Sequence, residues 1–565
     1  MSANADTIDS RGFSVDSSKH PKGLYVLFGT EMWERFSFYS MLSLFTLYLR
    51  DPTTGFGWTA AEATALYSNY LAFVYLSPLV GGFIADRFTG YRKAVMIGGF
   101  FFMAGHGLLS IPAIWAVYLA LTCLVIGNGF FKPNVSTMVG NLYPEGSHLK
   151  DRAYNIFYMG INVGAFLAPI VMEIVKAYFG FHAAFAVAAF GMVISVSILW
   201  YFRNMVEDPG ALAARKELRA NRGSDTAADT VATAVDAPPH DVSHQDDGGD
   251  AAQARNKQTL MESVPNSKRI IALIVIFIIV IVFWMVFHQN GSTLTYWADD
   301  NTAWNVTGTI SNSINAFWVL TLTFPLVWFW GFLDRRGKEP STPTKMAFGM
   351  TLTGISFLVL YLGAVAGENS PKTAEQFATG AFRVNERVIT NLGAAGVPKD
   401  VLDKIVNAKA ADGKNTIYGV KFEPKTDETT KAITSGEQQL VNAINAVAPG
   451  AGDIHKAAIL RNAFLFKVSA LWLIIAYGIV TLGELMLSPM GLSLVSKVAP
   501  ISVRGLMMGG WFVATAIGNK LTQIGIFWDI WLQSTFFLVL ASMALVMAVV
   551  LAILLKPLKK AMPGV

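Results

Sequence analysis

Two carboxylates and a guanidinium stand within five residues in Glu31-Met-Trp-Glu34-Arg35-Phe36-Ser37-Phe38-Tyr39, inside an apolar run from Leu24 to Leu49. Glu31 precedes Arg35 by four residues, so a helix puts them on one face, with Glu34 beside them and Tyr39 one turn further on. The run is about as long as a membrane-spanning helix must be. A charge at that depth costs roughly 2.5–3.5 kcal/mol per residue by the lower estimates. Such a cluster could simply hold helices together, but intramembrane charges more often line the path of a substrate or an ion. The chemistry available is proton exchange on the carboxylates and fork-like capture of an anion by the guanidinium.

Depth arithmetic gathers further polar residues at this level. At about 1.5 Å per residue, Arg35 lies roughly 16 Å from the end of its run nearest the N-terminus, and Lys132 in the fourth apolar run reaches a similar height. Asn162 in the fifth run and Glu484 in the tenth fall in the same half to middle of the membrane. A cavity with Glu31, Glu34, Arg35 and Lys132 on one wall and Glu484 on the other suits a zwitterion. The sequence holds no His-Glu-x-x-His, no Gly-x-Ser-x-Gly and no Gly-x-x-x-x-Gly-Lys-Ser/Thr loop. Neither an enzyme nor an ATP-driven pump is indicated, and a gradient-driven transporter is favoured. No cofactor or metal is expected, with protons as the coupling ion.

The elements that must position these groups are legible in composition. The 565 residues are 53% hydrophobic and only 15% charged, with mean hydropathy +0.43, whereas soluble domains are about 25% charged. The net charge of +5 is scattered over loops, with no basic tract dense enough for nucleic acid. Cys123 is the single cysteine, which excludes an intrachain disulfide or a cysteine metal site. The polar start shows no cleavable signal, so the first span is expected to act as its own insertion signal.

Twelve apolar runs of spanning length lie near 24–50, 61–84, 93–111, 114–140, 152–176, 182–203, 270–297, 308–333, 344–366, 465–497, 503–530 and 534–557. They predict an all-α membrane protein of two six-helix bundles, 24–204 and 269–557, between short tails at 1–23 and 558–565. Gly82-Phe-Ile-Ala-Asp86-Arg87 closes the second run and Gly331-Phe-Leu-Asp334-Arg335 the eighth, an internal repeat of the kind two-bundle transporters show. Lys and Arg collect in alternate loops (Arg87, Arg92, Lys93; Lys150, Arg152; Arg335, Arg336, Lys338; Lys497, Arg504), which puts both termini on the cytoplasmic side of an inner membrane. Residues 205–268 read as a disordered linker, whose His240 and His244 are expected to be solvated rather than metal-bound. Residues 367–464 divide the second bundle into 269–366 and 465–557. They read as a small extramembrane domain, with amphipathic stretches at Val401–Val406 and Leu440–Val447 and a strand candidate at Thr416–Phe422. A structural or partner-binding cap is the expectation.

The motifs also carry a resemblance. Glu31 to Tyr39, with Phe38 in place of a first tyrosine, resembles the first-span motif of the proton-dependent oligopeptide transporter family, a branch of the major facilitator superfamily. Gly129-Phe-Phe-Lys132-Pro133-Asn134, Phe157-Tyr158-Met-Gly-Ile-Asn162, Gly483-Glu484-Leu-Met-Leu-Ser488-Pro489 and Met508-Gly-Gly-Trp511-Phe512 are similar to its signatures in spans four, five, ten and eleven. The resemblance implies a major facilitator fold and proton-coupled import of di- and tripeptides by alternating access. It implies Arg35 and Lys132 at the peptide carboxylate, Glu31 and Glu34 in the proton relay, and Glu484, itself also expected in proton coupling, with Asn162 and Asn315 at the amino end. Tyr39, Tyr75, Tyr158 and Trp511 would line side-chain space. Two positions depart from the family, Leu42 for an arginine and His288 for an acid. His288 is therefore expected to serve in proton coupling, level with Leu42 and near Asp299 and Asp300. An inserted domain between spans nine and ten resembles the placement seen in animal peptide transporters. Uptake of another small solute, such as nitrate or an amino-acid-like compound, and a transporter-like receptor are the alternatives.

Overall fold

The computed structural model describes residues 20–143, 149–206, 263–426, 431–500 and 503–563. Residues 207–262, which hold His240 and His244 and most of the expected linker, lie outside the described residues; the linker's expected last residues, from Asn266, already belong to the seventh helix. Twelve crossings follow one another. The first helix is Lys22–Arg50 and the second Ala60–Ile84, started by a reciprocal capping box between Thr59 and Glu62. The third is Tyr91–Leu108 and the fourth Ile114–Asn141. The fifth and sixth share Leu149–Tyr201. The seventh comprises Asn266–Phe287 and Thr293–Asp300, followed by Ser311–Asp334 and Thr342–Glu368. Ala470–Val498, Arg504–Leu521 and Gln533–Ala561 complete the second bundle. Among the described residues, eight stretches are long and apolar enough to cross a membrane on length and composition alone, one of them, Arg152–Tyr201, joining two helices at Gly180. This is the major facilitator fold, all-α in its membrane part.

Two details differ from the apolar runs read in the sequence. Spans five and six are not separated by a loop: Gly180, at φ 80° and ψ 178°, turns the chain directly from one helix into the next. That conformation is open to glycine at little cost. Span seven, in turn, is not continuous. His288–Gly291 form a 3-10 turn and Ser292 leaves helical geometry at φ −133°, ψ −93°. Gln289 repairs the interruption: its Nε2 donates to Thr522 O at 3.2 Å, and its Oε1 accepts from Thr293 at 2.8 Å. Away from water such satisfaction is what allows a helix to break.

Close helix approach at glycine fixes the depth of the charged residues. A Cβ on Gly483 would come 2.6 Å from Gly349 O, so spans nine and ten touch backbone to backbone just before Glu484. In the first bundle a Cβ on Gly129, three residues before Lys132, would come 2.8 Å from Ser77 O of span two. Against span one, a Cβ on Gly164 would lie 3.2 Å from the Arg35 Cβ.

The inserted segment folds around its own core of Phe382, Val384, Leu392, Ile405, Leu440 and Ile444. Ala381–Arg383 is the central strand of a three-stranded antiparallel sheet, flanked by Lys421–Phe422 and Phe464–Leu465. The strand expected over Thr416–Phe422 is shorter, because Gly419 at φ 80° breaks it and leaves Tyr418 only an isolated bridge to Val384. Both amphipathic stretches are helical, within Lys399–Val406 and Gly436–Val447.

Candidate functional site

Arg35 is held in a two-pronged ion pair by its neighbour Glu34, Nε to Oε2 at 2.5 Å and Nη2 to Oε1 at 2.6 Å. Glu31 Oε1 lies 3.3 Å from Arg35 Nε, while its Oε2 is buried with no hydrogen-bond partner among the described residues. The helical spacing of Glu31 and Arg35 thus gives the longer contact, and the adjacent Glu34 the fork. All three side chains are essentially sealed from solvent. The guanidinium also stands over the Phe38 ring, 4.8 Å from its centroid. Phe38, the departure from the family motif, therefore offers a π face where a tyrosine would add a hydroxyl.

Lys132 directs its ammonium at Tyr75, 5.2 Å from the ring centroid, and lies within electrostatic reach of Arg35, Glu31 and Glu34. Tyr39, Tyr75 and Tyr158 share a field with Glu484 of the opposite bundle. There Asn315 Nδ2 donates to Glu484 Oε2 at 3.1 Å and to Thr481 Oγ1 at 2.9 Å, which orients the acid. The structure therefore places Tyr39, Tyr75 and Tyr158 of the first bundle within electrostatic reach of Glu484 in the second. Asn162 turns its amide back to Tyr158 O in its own helix, at 2.9 Å. Trp511 is buried and fills the space left by Gly491, with Phe277 6.3 Å away, so it packs within the second bundle.

His288 sits at the break in span seven among aromatic rings: Trp284 stacked at 4.9 Å, Phe287 at 5.4 Å and Tyr75 at 5.7 Å. It makes no ion pair with Asp299 or Asp300 among the described residues. Those acids are engaged beyond the break, Asp300 by Arg50 and Arg383 and Asp299 by Lys421. Sequence reading missed Tyr70, which lies in the field of Arg35 and Glu34, and Thr481, the second partner of Asn315. It also missed the pairing of Arg50 with Asp300, whose signal was an arginine ending one apolar run and an acid pair ending another.

Between the bundles, polar contacts gather on the side that carries the inserted domain. Thr46 Oγ1 donates to Gly291 O at 3.0 Å, and the Thr64 and Tyr296 hydroxyls meet at 3.2 Å. Glu173 accepts from the Thr307 backbone at 2.8 Å, and Lys176 reaches Thr309 at 3.0 Å. Arg50 meets Asp300 at 3.5 Å and covers the Tyr296 ring at 4.1 Å.

A model of the POT family matches residues 92–394. The chain belongs to the POT family. It is similar to the "Uncharacterized transporter YclF" of Bacillus subtilis, with 26% identity over 97% of this chain and 96% of the relative. It is equally similar, at 26%, to the "Di-/tripeptide transporter" of Lactococcus lactis subsp. cremoris, over 96% of this chain and 97% of that one. Among solved structures, a peptide transporter POT in complex with sulfate matches at TM-score 0.66 and 25% identity, covering 99% of this chain and 98% of that chain. Within a POT-family frame, the two walls described above belong to the two halves of one transporter.

Proposed function

We propose that this chain imports di- and tripeptides together with protons, by alternating access across a bacterial-type inner membrane. The observation that carries the reading is the pair of poles: Arg35 and Lys132 on one bundle, Glu484 oriented by Asn315 on the other. A guanidinium and an ammonium suit the peptide carboxylate, and a carboxylate suits the peptide ammonium. Glu484 disfavours a purely anionic solute such as nitrate. The name of the Lactococcus relative supports the same substrate class.

The ion cluster suggests how protons enter. While Glu34 is ionised it occupies the Arg35 fork; a proton on Glu34 frees those donors for the substrate carboxylate, and Glu31, 3.3 Å from Arg35 Nε, is placed to exchange it. His288 adds a titratable ring beside Tyr75, which also meets Lys132. The basic loops at Arg87–Lys93 and Arg335–Lys338 support termini on the cytoplasmic side. The contacts gathered at the domain-bearing side then correspond to an inward-facing state.

The test is uptake into proteoliposomes of labelled dialanine, free alanine and nitrate under an inward proton gradient. Dialanine should accumulate and the others should not; accumulation of nitrate or alanine alone would replace the peptide reading.

A further inference from the structure

We propose that the inserted domain is a working part of the gate on its own side: Arg383 and Lys421 hold Asp300 when Arg50 withdraws, and so ease opening. The inference rests on the alternating-access reading. Asp300 ends span seven with its side chain 4% exposed, and three cations from two parts of the chain face it. Arg50 of span one lies 3.5 Å from Oδ2, while Arg383 at 3.1 Å and Lys421 at 3.9 Å, both from the inserted domain, lie against Oδ1 as ion pairs, with no hydrogen bond to that oxygen among the described residues. Lys421 also pairs with Asp299 at 3.1 Å.

The domain is built to travel with the second bundle. Both its ends join that bundle, at spans nine and ten. Thr302 and Ala303, just past Asp300, pair in parallel with Val468 and Ser469 where the domain returns to the membrane. Val468 N donates to Asn301 O at 2.9 Å, and Asn301 Nδ2 to Phe466 O at 3.1 Å. Arg387 Nη1 adds a bond to Trp531 O at 2.9 Å, and Asn385 one to Asp529 at 3.3 Å. Toward the first bundle the domain makes one hydrogen bond among the described residues, Lys414 Nζ to Thr53 O at 3.2 Å.

When the bundles part on this side, Arg50 leaves with the first while Arg383 and Lys421 stay. Without those two, opening would strand a buried carboxylate with no ion pair, an unfavourable state; Lys467, just ahead of the tenth span, bonds the Asp299 carbonyl at 3.0 Å rather than the Asp300 carboxylate. Arg383 has capacity in reserve: its Nε and Nη1 are buried without hydrogen-bond partners among the described residues. Those donors can take up the oxygen that Arg50 gives back. Removing the domain's cations therefore penalises the open state more than the closed one, whereas removing Arg50 penalises only the closed one.

The two variants should thus move the gate in opposite directions. In the full-length chain carrying Cys123→Ser, spin labels at Thr54→Cys and Ile530→Cys report the distance across this side by pulsed electron resonance in lipid nanodiscs. Arg383→Met with Lys421→Met should lower the long-distance population at least threefold. Arg50→Met should raise it by a similar factor, and Arg383→Lys should leave it near the parent value. A second pair, Lys404→Cys with Ile530→Cys, should keep one unchanged distance in all variants. An unchanged or increased long-distance population without Arg383 and Lys421 overturns the proposal, as does a shift in the second pair, which would mark a passive clamp. A parent protein with one distance under every substrate and pH condition would overturn alternating access itself, and this inference with it.

Discussion

The two buried charge clusters on the first helix, one at its middle and one at its end, are assembled in opposite ways. In the middle, Glu31, Glu34 and Arg35 come from adjacent turns and satisfy one another, leaving Glu31 Oε2 without a partner. At the end, Arg50 has no partner in its own segment and depends on Asp300, 250 residues away, which the inserted domain also holds. A local cluster can exchange a proton or admit a ligand without moving a helix. A cluster built from separate bodies reports, and resists, their separation. The difference separates chemistry from mechanics in this protein.

The largest effect expected is that of Arg35→Met, which leaves Glu34 buried without its partner, a change of about 2–5 kcal/mol. Dialanine uptake should be abolished while the label distance across the domain-bearing side keeps two populations; substantial uptake would make the central cluster structural. Glu484→Gln should weaken a free-amine peptide by about 2 kcal/mol, or roughly thirtyfold, and spare its N-acetylated analogue. Equal losses for both would break the assignment of poles. For His288→Gln, which keeps hydrogen bonding but cannot titrate near neutral pH, gradient-driven accumulation should fall about tenfold while counterflow survives. An unchanged pH profile would leave coupling to Glu31 and Glu34.

The smallest expected effect is that of titrating Lys421 in the end cluster. Burial acts to lower the Lys421 ammonium, but Asp299, Asp300 and Glu423 outweigh it and hold its pKa above the ordinary value. A raised pKa means the attraction is complete below about 10.4, the unfolded value, and fades only as pH climbs through the higher folded one. Between pH 5 and 8 the Lys404–Ile530 label distance should not change through Lys421, and loosening in that window would show another group in control.

The contrast also explains what the sequence disclosed. Spanning runs and the charged residues at Glu31–Arg35, Lys132 and Glu484 were legible because lipid makes every buried charge conspicuous. The fork from Arg35 to Glu34 rather than Glu31 was not, since it depends on rotamers, not on helical spacing. The break at His288 hid inside an apolar run because its repair, Gln289 with Thr522, comes from span eleven. Arg383 and Lys421 read as ordinary surface charges of a polar insertion. Their role follows from a fold that brings Arg383 and Lys421, on paired strands of the domain, to the end of span seven, and no local pattern encodes that.

The parallel pairing of Thr302 with Val468 has a practical side. It makes the inserted domain a handle on span seven that stands clear of the lipid. A nanobody raised against that domain would never need to enter the substrate path. One that wedges the domain toward Thr53 should arrest the transporter, and one that draws it away should release it. Inhibition of this kind would be insensitive to peptide concentration, because ligand and antibody would compete for motion and not for space.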